Sequence, residues 1–293
     1  MYDVRRLRLL RELADRGTLA DVAAALSYSP STVSQQLALL EREVGVPLTV
    51  PAGRRVVLTP DGHLLAERAG EVLRVLERAE AEIAARAAAA TGVVRLAIFQ
   101  SAALSLLPET LTRMAADHPG VRVEAVQHEP EHALHRTANR DFDLVVAEQY
   151  PGHATAWHDG LDPRALVLDP LRLATARGSA VEDLADAAGL PWVMEPRGAA
   201  SRHWAEQRCR SVGFEPDVRY ETADLEVHLR LVESGNAVAI LPDLVWAGRT
   251  SSARLLELPG RPEREIFTSA RAAGASRPAV AALRTTLEAV AAS

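Results

Sequence analysis

Within six consecutive positions, Ser31, Thr32, Ser34, Gln35 and Gln36 set five small hydroxyl or amide side chains around Val33. Val33, Leu37, Leu40 and Val44 recur at three- and four-residue steps, so the stretch reads as an amphipathic helix with these four turned inward. A solvated helix face ordinarily carries Glu, Lys and Arg. Hydroxyls and amides instead donate and accept at once, which is what base edges and phosphates in a DNA major groove require. Further on, Gly53-Arg54-Arg55-Val56-Val57-Leu58-Thr59 reads as a turn entering a β-strand, with Arg54 and Arg55 at a hairpin tip. Such a wing can hold phosphates or enter a minor groove. The plainer alternative is a helical subdomain with an exposed Ser/Gln face.

Other chemistries find little footing. There is no G-x-S-x-G elbow, no P-loop and no G-x-G-x-x-G, so neither acyl transfer nor nucleotide chemistry has its usual cradle. His128, His132 and His135 form one metal-like cluster, but Pro130 separates the first two and no pair has H-E-x-x-H spacing. A surface histidine cluster is the expectation, with no catalytic residue, metal or cofactor. The single cysteine, Cys209, excludes an internal disulfide and reads as mid-helix packing rather than a redox switch.

The elements that must position the polar face are legible around it. Val4, Leu7, Leu10 and Ala14 form the stripe of a first helix that Gly17 ends. Thr18 with Asp21 resembles a capping box and opens a second helix carrying Val22, Ala23 and Leu26. Ser29-Pro30 gives an N-cap followed by a first-turn proline, and Gly45 stops the third helix. Thr59-Pro60 starts a long helix in which Leu65, Ala69, Val72, Leu76, Ala79 and Ile83 make an a/d seam. That seam either packs on a neighbouring domain or pairs with a second chain.

The 293 residues suit about two domains. An apolar share of 48% and a charged share of 25% are those of a globular protein. The longest uncharged run, from Leu96 to Pro108, is too short to span a membrane, and the N-terminus has no signal-peptide pattern, so a cytoplasmic protein is expected. The net charge of -6 conceals an uneven distribution. Residues 1–60 hold 8 Arg against 6 acids, residues 61–90 hold 4 against 6, and residues 91–293 hold 21 against 27. All 33 basic residues are arginine, so every cationic phosphate contact must come from a planar guanidinium.

From Leu19 to Gly62 the chain resembles the N-terminal domain of LysR-type transcriptional regulators. The match runs through Ala23-Ala24-Ala25-Leu26, Ser29 to Leu37, Leu39-Leu40-Glu41, Gly45-Val46-Pro47-Leu48 and Arg54 to Gly62. Gln35 stands where that family often has arginine, and Thr49-Val50-Pro51 departs from the usual run before the wing. The remainder reads as strand–helix repeats: strands at Val93–Phe99, Val121–Val126, Leu144–Ala147, Leu171–Thr175, Trp192–Glu195, Ala237–Leu241 and Glu265–Ser269, and a last helix from Pro278. This alternation predicts a mostly parallel sheet with ligands at strand carboxyl ends. Its order resembles the family's two-lobed effector domain, akin to periplasmic solute-binding proteins of type II.

The resemblance implies a multidomain protein: a winged helix-turn-helix head over 1–60, a dimerising linker helix over 61–90, and an α/β effector-binding domain over 91–293. Lobe one would be 91–159 with 268–293, and lobe two 160–267. The cleft would be lined by Gln100, Ser101, Glu148, Glu195, Arg197, Gly198 and Ser201. Ser101 and the Gly198–Ser201 stretch would offer helix N-termini to an anion, and Glu148 and Glu195 would face a cationic group, so a small carboxylic or amino acid is the expected effector. DNA contacts would come from Ser31, Thr32, Ser34, Gln35, Gln36, Arg54 and Arg55. The implied partners are double-stranded DNA at a partly palindromic promoter site and further copies of the chain, as homodimer or homotetramer. The competing reading is a solute-binding or enzymatic α/β protein whose N-terminal helices are an oligomerisation module.

Overall fold

The computed structural model describes residues 1–53, 55–86, 89–153 and 160–293. The chain separates into two units: Met1–Ala88 with the short segments Asn139–Asp141 and Ala272–Pro278, and Ala89–Ala138, Phe142–Arg271 and Ala279–Ser293.

The first unit opens with α1 (Val4–Arg16), α2 (Leu19–Leu26) and α3 (Pro30–Val44), continues through the hairpin β1 (Thr49–Ala52) and β2 (Arg55–Leu58), and runs into α4 (Pro60–Ala84). Local chemistry sets each boundary. Gly17 takes the left-handed conformation (φ 77°) that ends α1. The Thr18 hydroxyl accepts from the Asp21 amide at 3.1 Å and donates to the Asp21 carboxylate at 2.5 Å, so this capping pair closes on a hydroxyl. Ser29 caps α3 by accepting from the Thr32 amide at 3.1 Å. Leu7, Leu10 and Leu13 of α1, Val22 of α2, and Val33, Leu37 and Leu40 of α3 close one core with Leu48. Val4, expected in the first stripe, lies at the helix start and is exposed.

Two devices fix the hairpin. The Glu41 carboxylate accepts from the amides of Leu48 and Thr49, each at 2.8 Å, which holds the chain as it enters β1. Gly62, in the first turn of α4, passes so close to Leu48 that a Cβ there would lie 2.0 Å from the Leu48 carbonyl oxygen. The seam of α4 divides into a buried first half and an exposed second half. Leu65, Ala66 and Ala69 pack on the core of the head, whereas Val72, Leu76 and Ile83, joined by Val75, are exposed.

The second unit contains β3 (Gly92–Ile98), α5 (Gln100–Ser105), α6 (Leu107–Asp117), β4 (Val121–Gln127), α7 (Pro130–Ala138), β5 (Leu144–Gln149) and β6 (Leu161–Ala176). It continues with β7 (Pro191–Met194), α8 (Ala200–Ser211), β8 (Asp217–Glu221), α9 (Leu225–Glu233), β9 (Ala239–Pro242), β10 (Ala253–Glu257), β11 (Glu263–Arg271) and α10 (Pro278–Ala291). Seven strands make one sheet in the order β10-β6-β11-β5-β3-β4, with β9 also paired to β6, and β7 and β8 pair separately.

The mostly parallel sheet expected from the alternating pattern is not what forms. β3 is parallel to β4 and β5, but β11 is antiparallel to β5 and β6, and β6 is antiparallel to β9 and β10. The cause is the length of β6. Its Leu161–Pro170 half pairs with β11, and its Leu171–Ala176 half runs between β9 and β10. Residues 161–170 thus extend the sheet of β3, β4 and β5, and residues 171–176 enter a second lobe. Pro170, which has no amide hydrogen to donate, stands at the changeover. Among the described residues, no helix is long and apolar enough to cross a membrane.

Candidate functional site

Two groups of residues in this fold could do chemistry. On the head, burial of Val33, Leu37 and Leu40 turns the opposite face of α3 outward, leaving Ser31, Ser34 and Gln35 exposed. Ser29 gathers two neighbours, its hydroxyl lying 2.8 Å from those of both Ser31 and Thr32, so three hydroxyls cluster at the α3 N-terminus. Gln36 is drawn inward instead: its Oε1 accepts from Arg6 Nε at 3.1 Å, and Arg6 also pairs with Glu43. Tyr28, just before α3 and beside Ser29, is 49% exposed. Arg55, at the start of β2, is exposed and forms no ion pair with a described residue. Arg54 lies outside the described residues.

In the second unit, β3, β5, β7 and β11 bring their ends to one cavity, lined among others by Ser101, Glu129, Glu148, Glu195, Trp204 and Arg264. Gln100 and Ser201 also line it, so five of the seven residues read from the sequence meet there. Arg197 and Gly198 line a neighbouring pocket that shares Glu129, Glu148, Glu195 and Ser201. Several of these side chains are already engaged. The Gln100 amide nitrogen donates to Asp224 Oδ1 at 3.0 Å and its oxygen accepts from the Leu225 amide at 3.0 Å, clasping the start of α5 to the start of α9. Ser101 is fully buried, and its hydroxyl accepts from Arg264 at 2.7 Å.

Arg264 organises the floor of the cavity. It donates to Asp169 Oδ2 at 2.9 Å and 2.7 Å through Nε and a terminal nitrogen, pairs with Glu148, and lies 5.2 Å over the Phe99 ring. Asp169 uses its other oxygen to accept from the Leu244 amide at 3.0 Å. One buried guanidinium thus ties β11 to β5, α5 and the Asp169 changeover of β6. Arg202 is likewise consumed, by Glu206, Glu221 and the Glu195 carbonyl.

The acids outnumber these cations, and their proton affinities follow. Burial pushes Glu195 up to about 7, against its hydrogen bond from Ser201 and with the negative charges of Glu148 and Glu129 adding to the rise. Burial also raises Glu148, more than the adjacent Arg264 lowers it, and raises Glu129 and Asp169. His228, on the same wall, is pushed down by burial, against its bond to the Thr222 carbonyl at 2.8 Å and the nearby Asp224 carboxylate.

The remaining candidates lie apart from the cavity floor. His128 contacts Arg136 at 2.8 Å and its ring is 6.3 Å from that of His132. No group of three or more potential metal-binding side chains gathers among the described residues. Cys209 is buried in α8, and burial holds its thiol up at about 12, far from reactive.

Residues 4–63 match the model of the bacterial regulatory helix-turn-helix proteins of the lysR family, and residues 87–292 match the LysR substrate binding domain. The transcriptional dual regulator GltC of Bacillus subtilis is 28% identical over 250 residues, 85% of this chain and 83% of that protein. Full-length OxyR from Pseudomonas aeruginosa superposes with a TM-score of 0.71 at 16% identity, covering 98% of this chain and 95% of that one. Full-length CbnR, solved with its target DNA, superposes with a TM-score of 0.56 at 22% identity, covering 99% and 100% of the two chains.

Proposed function

The chain belongs to the LysR family of bacterial helix-turn-helix regulatory proteins, and from that premise we propose that it is a transcriptional regulator whose promoter binding is modulated by a small molecule held in the cavity of its C-terminal unit. The observation that carries this reading is the outward row of Ser31, Ser34 and Gln35 on a helix whose opposite face is buried. Such a row presents donors and acceptors without fixed charge, as base-edge recognition in a major groove requires. Ser31, Thr32, Ser34 and Gln35 are assigned to DNA, with Arg54 and Arg55 on phosphates at the wing. Gln36 joins this set through its hold on Arg6, which ties α1 to α3.

The exposed second half of the α4 seam supports a homo-oligomer, dimer or tetramer, which would present two heads to a partly palindromic site. The head is taken as residues 1–60, the linker as 61–90 and the effector-binding part as 91–293. A ligand that favours one arrangement of the lobes shifts their equilibrium, and linked subunits convert that shift into altered spacing of the heads. Gln100, Ser101, Glu148, Glu195, Arg197, Gly198 and Ser201 are assigned to the effector cleft. Gln100 and Ser101 act there through their contacts to Asp224, Leu225 and Arg264. The protein is taken to be cytoplasmic and not an enzyme.

Two substitutions test the head by fluorescence anisotropy on a duplex from the protein's own upstream region. Gln35→Ala should lose about 1–3 kcal/mol of discrimination between that duplex and a scrambled one. Arg55→Ala should weaken binding to both alike and lower the salt slope by about one. If neither variant changes binding, α3 and the wing are not the reading head.

A further inference from the structure

We infer that the molecule taken up by the cleft is a small organic cation bearing an amine or guanidinium group, received by Glu195 on the inner wall and Glu129 at the rim. This rests on the reading of the cavity as the effector site, and it names the charge class of the effector. It departs from the carboxylate half of the expectation drawn from the sequence.

The charges around the cavity call for a cation. Arg264 is shared between Asp169 and Glu148, and Arg202 between Glu206 and Glu221, so each cation at the cavity faces two carboxylates. Glu129 and Glu195 form no ion pair with a described arginine, and of the two only Glu129 has a histidine, His132, facing it. Two of the groups that would greet an anion are already used, and Arg197 stands outside this cavity, in the neighbouring pocket. The Ser101 hydroxyl accepts from Arg264, and the Gln100 amide is spent on Asp224 and Leu225. The start of α8, where an anionic ligand would be expected, holds a carboxylate of the protein itself, because the Ser201 hydroxyl donates to Glu195. A second anion placed there would meet Glu195, Glu148 and Glu129 together. An ammonium or guanidinium group would instead provide the missing countercharge, in a cavity whose Trp204, Tyr150 and Leu171 suit an alkyl chain.

The groups facing Glu195 are Ser201 on α8, Glu148 on β5, Glu129 before α7, Tyr150 after β5 and Arg264 on β11. With Glu195 held at about 7 in the free protein, a cation that needs it ionised should bind about tenfold more tightly at pH 8 than at pH 6.

The test is calorimetric titration of the full-length protein with 1,4-diaminobutane and agmatine, and with the dicarboxylates succinate and adipate as charge-reversed controls, at pH 6 and pH 8. The amines should bind, more tightly at pH 8. Glu195→Gln keeps a partner for Ser201, and it should abolish the pH dependence and most of the affinity while raising the melting midpoint of the free protein. Binding of the dicarboxylates and not the amines overturns the inference and leaves the effector reading of the cavity standing. Amine binding unchanged in a Glu129→Gln, Glu195→Gln variant places the amine elsewhere and also overturns it. No response to either class overturns it as well, and leaves the DNA-binding reading, measured separately on the duplex, untouched.

Discussion

Replacing Arg264 by leucine should destabilise the second unit by about 3–5 kcal/mol, the cost of leaving buried carboxylates without their cation. The side chain is almost wholly buried, as is its partner Asp169, and Glu148 and the Ser101 hydroxyl depend on the same guanidinium. The loss should depend on pH in a defined direction. Without Arg264, both carboxyls are raised further above their unfolded values, so the folded state binds protons more tightly than the unfolded one. Stability then falls as pH rises from the unfolded carboxylate range through the raised folded values. Urea melts should therefore show a larger deficit at pH 8 than at pH 5. Arg264→Lys, which keeps the charge but loses the fork, should fall between wild type and Arg264→Leu. A deficit below about 1 kcal/mol at pH 8 would mean that Arg264 is not the tie described above.

Gly62→Ala should be the most damaging single methyl added to the head. Its Cβ would sit 2.0 Å from the Leu48 carbonyl oxygen, and that oxygen accepts from the Thr59 amide at 2.9 Å, so the backbone cannot step aside without opening the junction of hairpin and helix. Overpacking against backbone costs about 1–3 kcal/mol, and here the upper end is expected. Gly70 provides the internal control, since a Cβ there would meet nothing closer than 3.7 Å, at Arg11 and Arg74. Gly70→Ala, in the interior of α4, should gain about 0.5–1 kcal/mol from helix propensity. Thermal melts followed by circular dichroism separate the two. Equal melting points for both variants would contradict the close approach at Leu48.

The head was largely legible because local signals and tertiary structure agree there. Ser29-Pro30, Thr59-Pro60 and Gly17 begin or end helices through contacts within four residues, which the sequence displays directly. The second unit was legible as elements but not as a sheet. Strand β8 (Asp-Val-Arg-Tyr-Glu) and β10 (Ala-Arg-Leu-Leu-Glu) lack strong alternation and take their form from their partners. The direction in which β6 and β11 run is set across a separation of about a hundred residues, as the pairing of Leu161 with Arg271 illustrates, and no local pattern reports it. In the cavity, the sequence reading found carboxylates near strand ends but missed Arg264. One signal was available. On β11 the alternation Arg264, Ile266, Thr268 places an arginine on the same face as a buried isoleucine, and an arginine on an apolar strand face must have acid partners.

The most direct test of a ligand-responsive DNA-binding regulator is the anisotropy of a labelled duplex from the protein's own upstream region, titrated with full-length protein across a range of salt. The expected result is binding at least about a thousandfold tighter than to a scrambled duplex, with affinity falling linearly in the logarithm of salt concentration. Equal, salt-insensitive affinity for both duplexes would contradict the account and return the N-terminal helices to a role in oligomerisation alone.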